Sequence, residues 1–595
     1  MLLGLTFYLP EVFRHGRTDV RRRWRRVLKG CNCYEDFKEV KRNWESTVVR
    51  KHTGRAMRKN WSMSDLTKSN SNQKPLAFDS VSNSYDLSSN LSSLLLQTSS
   101  SIRSHISHSD PASLSHLLSH ILKRNHLGLD NLSLLTTRGV ADIGRSGLNP
   151  SASTKIDDFH NAVVEGIQFI KKEKEYLITL KKAQKTIGNS ALMLSGGGSI
   201  TMYHIGVVKT LIEAGIYEGI PVISGTSGGS ITAAFCATLN QRELLDYVCQ
   251  DNISTDYRGR GDMKEKGIEW FPSMWKMAEN WVRTGKLVKD HAFLRTTKYY
   301  WGDTTFEEAY NKTRKHVCMT VTASRAASGG VQRLLLNHIT TPHVTIASAV
   351  AASCALPGIM ASVKLQMKRP NGEIGSMEVD GVEWIDGSIQ ADVPFQRVSQ
   401  LFNVSNFIVS QCNFHVVPFL PKSHHPDADS SYWRLFQLLG MDIRSRVTSL
   451  SNLGLFPSYF GNDISKVFKQ KYSGDVTIVP RMRSLDVIGI KAFMNPTVAD
   501  MQTYIKEGAE ATYAHVDHIS HLLKIEREVN EAVKSLSGDK EEPNPIINGI
   551  LSILGLDSDT THLRTQVNEL EAEVRRLRAE LEKNNQQPKT ANSPS

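Results

Sequence analysis

The sequence predicts an α/β fold built on a mainly parallel central sheet with helices on both faces, plus a helical N-terminal region and a C-terminal coiled-coil helix. Three observations predict it. Between 191 and 480, short apolar runs of strand length alternate with helical patterns, the signature of β-α-β units. A small-residue turn, Gly225-Thr226-Ser227-Gly228-Gly229, joins one such strand to an alanine-rich helix. Near the C-terminus Leu563, Val567, Leu570, Val574, Leu577 and Leu581 repeat at alternating spacings of four and three, with Val at a and Leu at d, which favours a parallel dimer.

At 595 residues with 40% apolar content the chain can bury a large core. The net charge of +12 is concentrated, since residues 1–60 hold 16 Lys/Arg against 6 Asp/Glu. Arginines around Trp24 within 14–29 (Arg21, Arg22, Arg23, Arg25, Arg26) suit an anionic lipid surface and would suit nucleic acid too; a solvated basic helix suits them equally. The seven cysteines are scattered with no C-x-x-C pair, which points to a reducing compartment and away from a zinc site. No signal peptide and no run long enough to span a bilayer is expected, so any membrane contact is peripheral.

Taken in order, 61–110 is rich in Ser and Asn and is expected to be largely disordered or loosely packed. LSHLLSHILKR places Leu114, Leu117, Leu118, Ile121 and Leu122 on one helix face, which suits packing on its own domain or contact with lipid. Residues 125–155 read as connecting loop and Asp157 to Leu180 as one long helix. ALML (191–194) is a buried strand, SGGGSITMYH a glycine-rich turn, and IGVVKTLIEAG a helix closed by Gly215. Val222 and Ile223 open the elbow strand. Residues 238–316 are helical and aromatic, with Trp270, Trp275, Trp281 and Trp301 suited to a lid or cleft wall. Strands follow at 317–324 and 333–339, then a small-residue helix over 345–360 ended by Pro357. Residues 377–394 read as a hairpin-like pair and a loop, and 407–413 and 475–480 as strands. From Asn530 the chain turns polar, and 546–556 is too short to cross a membrane.

Strand, G-x-S-x-G and helix together form the setting of a nucleophile elbow: small flanking residues allow the sharp turn, and Ser227 projects above the positive end of the next helix. A serine hydroxyl needs a proton acceptor, and none of the 20 histidines stands in an obvious motif after the elbow. Asp386, followed by Gly387 and Ser388, ends a strand-like run; a carboxylate in a dry cleft can take the proton itself, although an Asp-Gly step is usually a turn. Gly196, Gly197 and Gly198 cluster backbone N–H groups at a helix start, which serves a phosphate or an oxyanion hole. Thr201 stands where a dinucleotide motif requires its third glycine, and no Gly-Lys-Ser/Thr follows, so neither nucleotide fingerprint is met.

In this order the three pieces resemble the patatin-like phospholipase family, in particular its triacylglycerol-lipase branch with an N-terminal domain. The phrases LSGGGSITMYHIGVVKTL, ISGTSGGS, ASCALPGIM, WIDGSIQADVP and FNVSNFIVSQCNFHVVPFL carry the resemblance over roughly 1–520. It implies a three-layer fold, Ser227 as nucleophile, Asp386 as its base, and the amides of Gly196, Gly197 and Gly198 as oxyanion donors. Two departures bear on the oxyanion turn: Thr201 replaces the last glycine, and no Arg or Lys lies inside it. An H-x4-D acyltransferase spacing occurs at His105 and Asp110 and is read as chance. The implied organisation is an N-terminal lipase-associated region (1–145), a helical connector (146–190), the catalytic core (191–395), its C-terminal part (396–535), and a linker, coiled coil and tail (536–595).

The expected protein is therefore a serine carboxylic ester hydrolase acting on triacylglycerol or (lyso)phospholipid, peripheral on a lipid-droplet or endoplasmic-reticulum surface. It needs no cofactor or metal and binds no nucleic acid. Residues 14–29 and the apolar segments around 93–122 would bring it to lipid, and the heptads would pair it into a homodimer. The alternatives are a transacylase on the same dyad and a non-catalytic lipid-droplet scaffold.

Overall fold

The computed structural model describes residues 31, 33–40, 89–124, 126, 150–249, 268–288, 292–324, 333–357, 359–377, 382–387, 393–413, 416, 442, 445–446, 449, 472–481 and 490–537. The chain divides into two units, 1–538 and 539–595, and every described residue belongs to the first. The basic segment 14–29, Ser388, the apolar run 546–556 and the heptad residues Leu563, Val567, Leu570, Val574, Leu577 and Leu581 lie outside the described residues.

The centre is a sheet in the order β4-β3-β2-β1-β8-β9, with β1 Asn189–Leu194, β2 Val222–Gly225, β3 His316–Ala323, β4 Arg333–Leu336, β8 Val404–Ser410 and β9 Val476–Ile478. The pairs β2/β3, β1/β2, β1/β8 and β8/β9 are parallel, while β4 runs antiparallel to β3. Strand β1 shows why both faces are covered. Leu192 and Leu194 enter one core, whereas Ala191 and Met193 enter the other, as the period of two requires. A strand apolar on both faces belongs in the middle of a parallel sheet.

In chain order the helices are α1 Ser89–Ser107, α2 Pro111–Ile121, α3 Pro150–Ile170, α4 Leu177–Ile187, α5 Tyr203–Glu213, α6 Gly228–Thr238, α7 Met274–Thr284, α8 Ala292–Trp301, α9 Phe306–Thr313, α10 Ile346–Ser353, α11 Phe395–Phe402, α12 Val498–Tyr513 and α13 Val516–Ser537. Helices α5, α6, α10 and α12 cover one face of the sheet, and α11 covers the other with Val398 and Phe402. The mainly parallel sheet with helices on both faces is as the sequence predicts.

Four expectations need correction. Residues 89–107 form a helix instead of loose chain: Leu95 and Ile102, seven apart, are fully buried, and the hydroxyls of Thr98 and Ser99 bond back to the carbonyls of Leu94 and Leu95, which satisfies them within the helix. The span 157–180 is two helices, because between Ile170 and Leu177 the run KKEKEY supplies no aliphatic anchor and the chain turns. The 377–394 hairpin is absent among the described residues. Strand β7, Trp384–Asp386, pairs antiparallel with β3, and the local hairpin lies upstream as β5 Gln366–Lys368 with β6 Ile374–Ser376. Finally, of the two uses the sequence allows for the apolar segments within 93–122, most of their apolar residues take the first and pack on the domain itself, while Leu94 and Leu96 remain exposed. Leu95, Ile102, Leu114, Leu118, Ile121 and Leu122 are buried with residues of α3, α4 and the end of α13 in a separate, all-helical core, beside the two on the faces of the sheet. Helix α13 stays apolar on that face past Asn530, with Ala532 and Val533 buried.

The helical core is tied to the sheet at the start of β1. Glu526 of α13 accepts the backbone N–H of Ser190 at 2.9 Å and also its hydroxyl, and Asn406 donates to the same Ser190 hydroxyl at 3.3 Å. Burial pushes the Glu526 carboxyl up from 4.5 to about 7 against the pull of those donors. A carboxyl with a raised folded value holds its proton more tightly in the fold, so its stabilisation is complete below about 4.5 and lost as pH rises through about 7. Glu526→Gln keeps an acceptor for Ser190 and cannot ionise. Its thermal midpoint should therefore gain on the wild type between about pH 5 and pH 8. A constant difference across that range would show that Glu526 does not titrate there.

Candidate active site

Strand β2 ends at Gly225, and two residues later the chain reverses into α6. Ser227 holds the turn at φ 52°, ψ −133°. Other left-handed residues, Arg314 and Asn403, have ψ 22° and 41° and simply cap helices. The ψ of Ser227 lies outside that well, in a region that costs a residue with a Cβ about 1–3 kcal/mol. The strain is held by neighbours. The Ser227 N–H donates to Ser353 Oγ at 2.9 Å, Ser353 Oγ donates to the Thr320 carbonyl at 2.9 Å, and Thr226 N–H donates to the Leu194 carbonyl at 3.2 Å. Gly228 and Gly229 are the first residues of α6, so the helix begins directly behind the serine.

The glycine-rich turn follows β1 and lies against that helix start. Gly197 (φ 145°) and Gly198 (φ 62°) adopt backbone angles a side chain resists. A Cβ on Gly229 would overlap the carbonyl oxygens of both Leu194 and Ser195. Helix and turn thus meet backbone to backbone. Thr201, at the position of the missing glycine, donates its hydroxyl to the Gly198 carbonyl at 2.6 Å and clips the turn internally.

His204 supports this turn from behind. It is fully buried, with Nε2 donating to the Ser195 carbonyl at 2.9 Å and Nδ1 accepting from Ser410 Oγ at 2.7 Å; the carbonyl fixes the tautomer, since it can only accept. Burial pushes the imidazole down to about 4, so it is neutral at physiological pH and both nitrogens are engaged. Ser195 Oγ accepts from the Cys412 N–H at 2.8 Å on the other side.

Asp386 comes to the same place through the sheet. Val321 and Thr322 of β3 pair with Leu334 and Arg333 of β4 on one edge and with Asp386 and Ile385 of β7 on the other. The earlier part of that second edge is occupied by β2, whose Gly225 stands opposite Met319. Strand β7 therefore takes over the edge just where β2 leaves it to form the elbow. Asp386 is fully buried, its N–H donates to the Ala355 carbonyl at 3.0 Å, and Gly387 turns away over the Thr320 carbonyl.

Ser227, Asp386, Gly197, Gly198 and Gly228 all line one cavity of about 310 Å³. Its walls are mostly apolar: Met202, Ile231, Trp270, Phe271, Phe293, Leu356, Ile359, Met360, Phe493 and Met501. The described residues lining it include no histidine, and the carboxylates are Asp386 and Glu269. Of the four tryptophans proposed for the wall, Trp270 lines the cavity and Trp301 packs beneath it, whereas Trp275 and Trp281 face solvent. The wall from 492 to 501 carries no motif and is not visible in the sequence as part of the site; the pin Ser353 lies within the phrase ASCALPGIM, but nothing there marks it as a site residue. At the other candidate spacing, Asp110 accepts the Ser113 N–H as N-cap of α2, and His105 lies 3.8 Å from it on the surface.

With this geometry in view, the comparisons are direct. The family model of the patatin-like phospholipases matches residues 192–398. Triacylglycerol lipase ptl3 of Schizosaccharomyces pombe is 31% identical over 421 residues, 67% of this chain and 83% of that protein. Triacylglycerol lipase 4 of Saccharomyces cerevisiae is 31% identical over 449 residues, 70% of this chain and 47% of that protein. A patatin-like phospholipase domain-containing protein of Coccidioides immitis is 30% identical over 446 residues, 70% of this chain and 56% of that protein. The chain belongs to the patatin-like phospholipase family. It spans about half the length of the last two relatives.

The contact of Gly229 with two carbonyls sets a sharp expectation. Gly229→Ala must drive α6 off the glycine turn and should cost on the order of 3 kcal/mol or more, with loss of labelling of Ser227 by a fluorophosphonate. Gly219→Ala meets only side-chain atoms at 3.6 Å and beyond and should melt like the wild type. Equal melting of the two variants would show that the close approach does not constrain the site.

Proposed function

We propose that the protein is a lipid acyl hydrolase that cleaves carboxylic esters of triacylglycerol or (lyso)phospholipid through a Ser227–Asp386 dyad. The observation that supports this best is a strained serine at a helix N-terminus, sharing one apolar cavity with a buried carboxylate and a glycine turn. Ser227 Oγ attacks the ester carbonyl carbon as its proton passes to the Asp386 carboxylate. The oxyanion is met by amides of Gly196, Gly197 and Gly198, together with the helix-start amide of Gly228, and by the positive end of α6. Collapse breaks the ester C–O bond, and the departing alcohol takes the proton from Asp386. Water then attacks the acyl-enzyme, gives its proton to Asp386, and releases a fatty acid as Ser227 recovers a proton. The apolar lining suits an acyl chain and keeps water away from the carboxylate, which strengthens its hold on the serine proton. The same reading places the protein at the surface of lipid droplets or of the endoplasmic reticulum.

Histidine has no part in this scheme. His204 is buried, doubly bonded and outside the cavity lining, and acts by holding the Ser195 carbonyl behind the turn.

Ser227→Ala and Asp386→Asn should each lower turnover on triolein or phospholipid micelles on the order of a thousandfold or more, and the double variant should be little worse than either. Labelling by a fluorophosphonate should vanish in Ser227→Ala and be slow in Asp386→Asn. An acid limb in the ordinary imidazole range is not expected, because burial keeps His204 neutral down to about 4. Normal turnover in Asp386→Asn would refute the dyad.

A further inference from the structure

Helix α7 is mounted the wrong way round for a helix of a soluble domain. At 100° per residue Trp281, Met274, Ala278, Val282 and Trp275 fall within an arc of about 120°, and that arc faces outward. Trp275 is 87% exposed, Val282 84%, Met274 61% and Trp281 54%. The helix is held to the fold by a narrower edge, the buried Met277 and Asn280, with Asn280 Nδ2 donating to the Leu287 carbonyl at 3.0 Å. Single exposed apolar residues are ordinary, but a contiguous aromatic and aliphatic arc marks a contact surface.

Its position tells what the contact is. Trp270 and Phe271, four and three residues before the helix, line the candidate site. Phe271 is locked to the opposite wall by a reciprocal pair: its N–H donates to Asn495 Oδ1 at 2.9 Å, and Asn495 Nδ2 donates to its carbonyl at 2.6 Å. On that wall Met494 and Val498 are again exposed, flanking the lining residues Asn495 and Pro496. The cavity's apolar lining is thus continuous in chain with exposed apolar residues on two sides. Beside the arc Arg283 pairs with Glu279 at 3.0 Å and Lys276 lies 3.9 Å from Glu269, so the two tryptophans are rimmed by charge-balanced polar residues. Exposed tryptophans beside a polar rim match the interfacial depth of a lipid surface.

We infer that α7, with Met494 and Val498, is the face that seats this protein on the surface of a lipid assembly and sets the cavity mouth against it. This rests on the hydrolase reading for the nature of what passes into the cavity. A substrate dissolved in that assembly reaches Trp270 and Phe271 without crossing water.

The test uses the full chain and vesicles of phosphatidylcholine and phosphatidylserine, a fraction of them carrying brominated acyl chains. Bromolipid should quench the fluorescence of the wild type, and Trp275→Ser/Val282→Ser should lose part of that quenching and bind vesicles at least about tenfold more weakly. Its turnover of a soluble short-chain ester should be unchanged, while its turnover of emulsified triolein falls. Ile178→Ser, at another exposed apolar residue, on α4 and 66% exposed, should change none of these. Vesicle binding equal to wild type in the double variant overturns the inference, as does a change confined to oligomeric mass by light scattering, which would assign the arc to a second copy. Ser227→Ala separates the two readings, since it should bind vesicles normally while hydrolysing nothing. A wild type that binds through the arc but cleaves no ester would strike the hydrolase reading and leave the docking face standing.

Discussion

At the centre of the molecule two pieces of main chain touch with nothing between them. The first turn of α6 rests its Gly229 on the carbonyls of Leu194 and Ser195, where β1 ends and the glycine turn begins. Everything proposed for chemistry is referred to that contact. It brings the amides of the turn to the elbow, fixes the start of the helix behind Ser227, and leaves no room for a side chain at Gly229. The turn is then anchored outward: Ser195 is held by His204 and by the Cys412 N–H, and Gly198 is closed over by the Ala492 carbonyl. A neutral imidazole suits this duty better than a charged one. At a fully buried position a cation would carry an uncompensated desolvation cost, and burial keeps it neutral.

Asp386 arrives by a different physical route. A strand has two edges, and β3 shares one of them between β2 and β7. The carboxylate is therefore placed by the register of an antiparallel ladder, not by a flexible loop. Ser353 completes the arrangement by bridging the elbow N–H to the Thr320 carbonyl of the same β3. Serine and aspartate are consequently both referenced to one strand, which limits how far they can drift apart and is what a direct proton transfer requires.

How much of this was legible in the sequence follows from the range of each interaction. The elbow, the glycine turn and the strands β1, β2, β3 and β8 were readable because each is encoded locally, in small residues or in runs of strand length. Asp386 was readable only through its motif, since its partner strand lies some sixty residues earlier in the chain. Helix α1 was misread because its serines look like disorder until their hydroxyls are seen to bond back within the helix. The wall from 492 to 501 carries no motif, and only packing over Gly198 and Phe271 reveals it.

The same comparison bears on how the protein meets lipid. Amphipathic sequence around 93–122 suits either its own domain or a lipid surface, and tertiary structure buries most of that face in the all-helical core shared with α13. Helix α7 reads as the opposite case. Its aromatic residues looked like lining for a cleft, but the fold turns Trp275 and Trp281 to the outside and gives the lining to their chain neighbours Trp270 and Phe271. An amphipathic pattern therefore specifies that a face will be buried without specifying in what. For α1 and α2 the burying medium is protein, because α3, α4 and α13 are there to receive the leucines. For α7 the described residues offer only the Met277 and Asn280 edge, and the wide arc is left for whatever medium supplies the cavity.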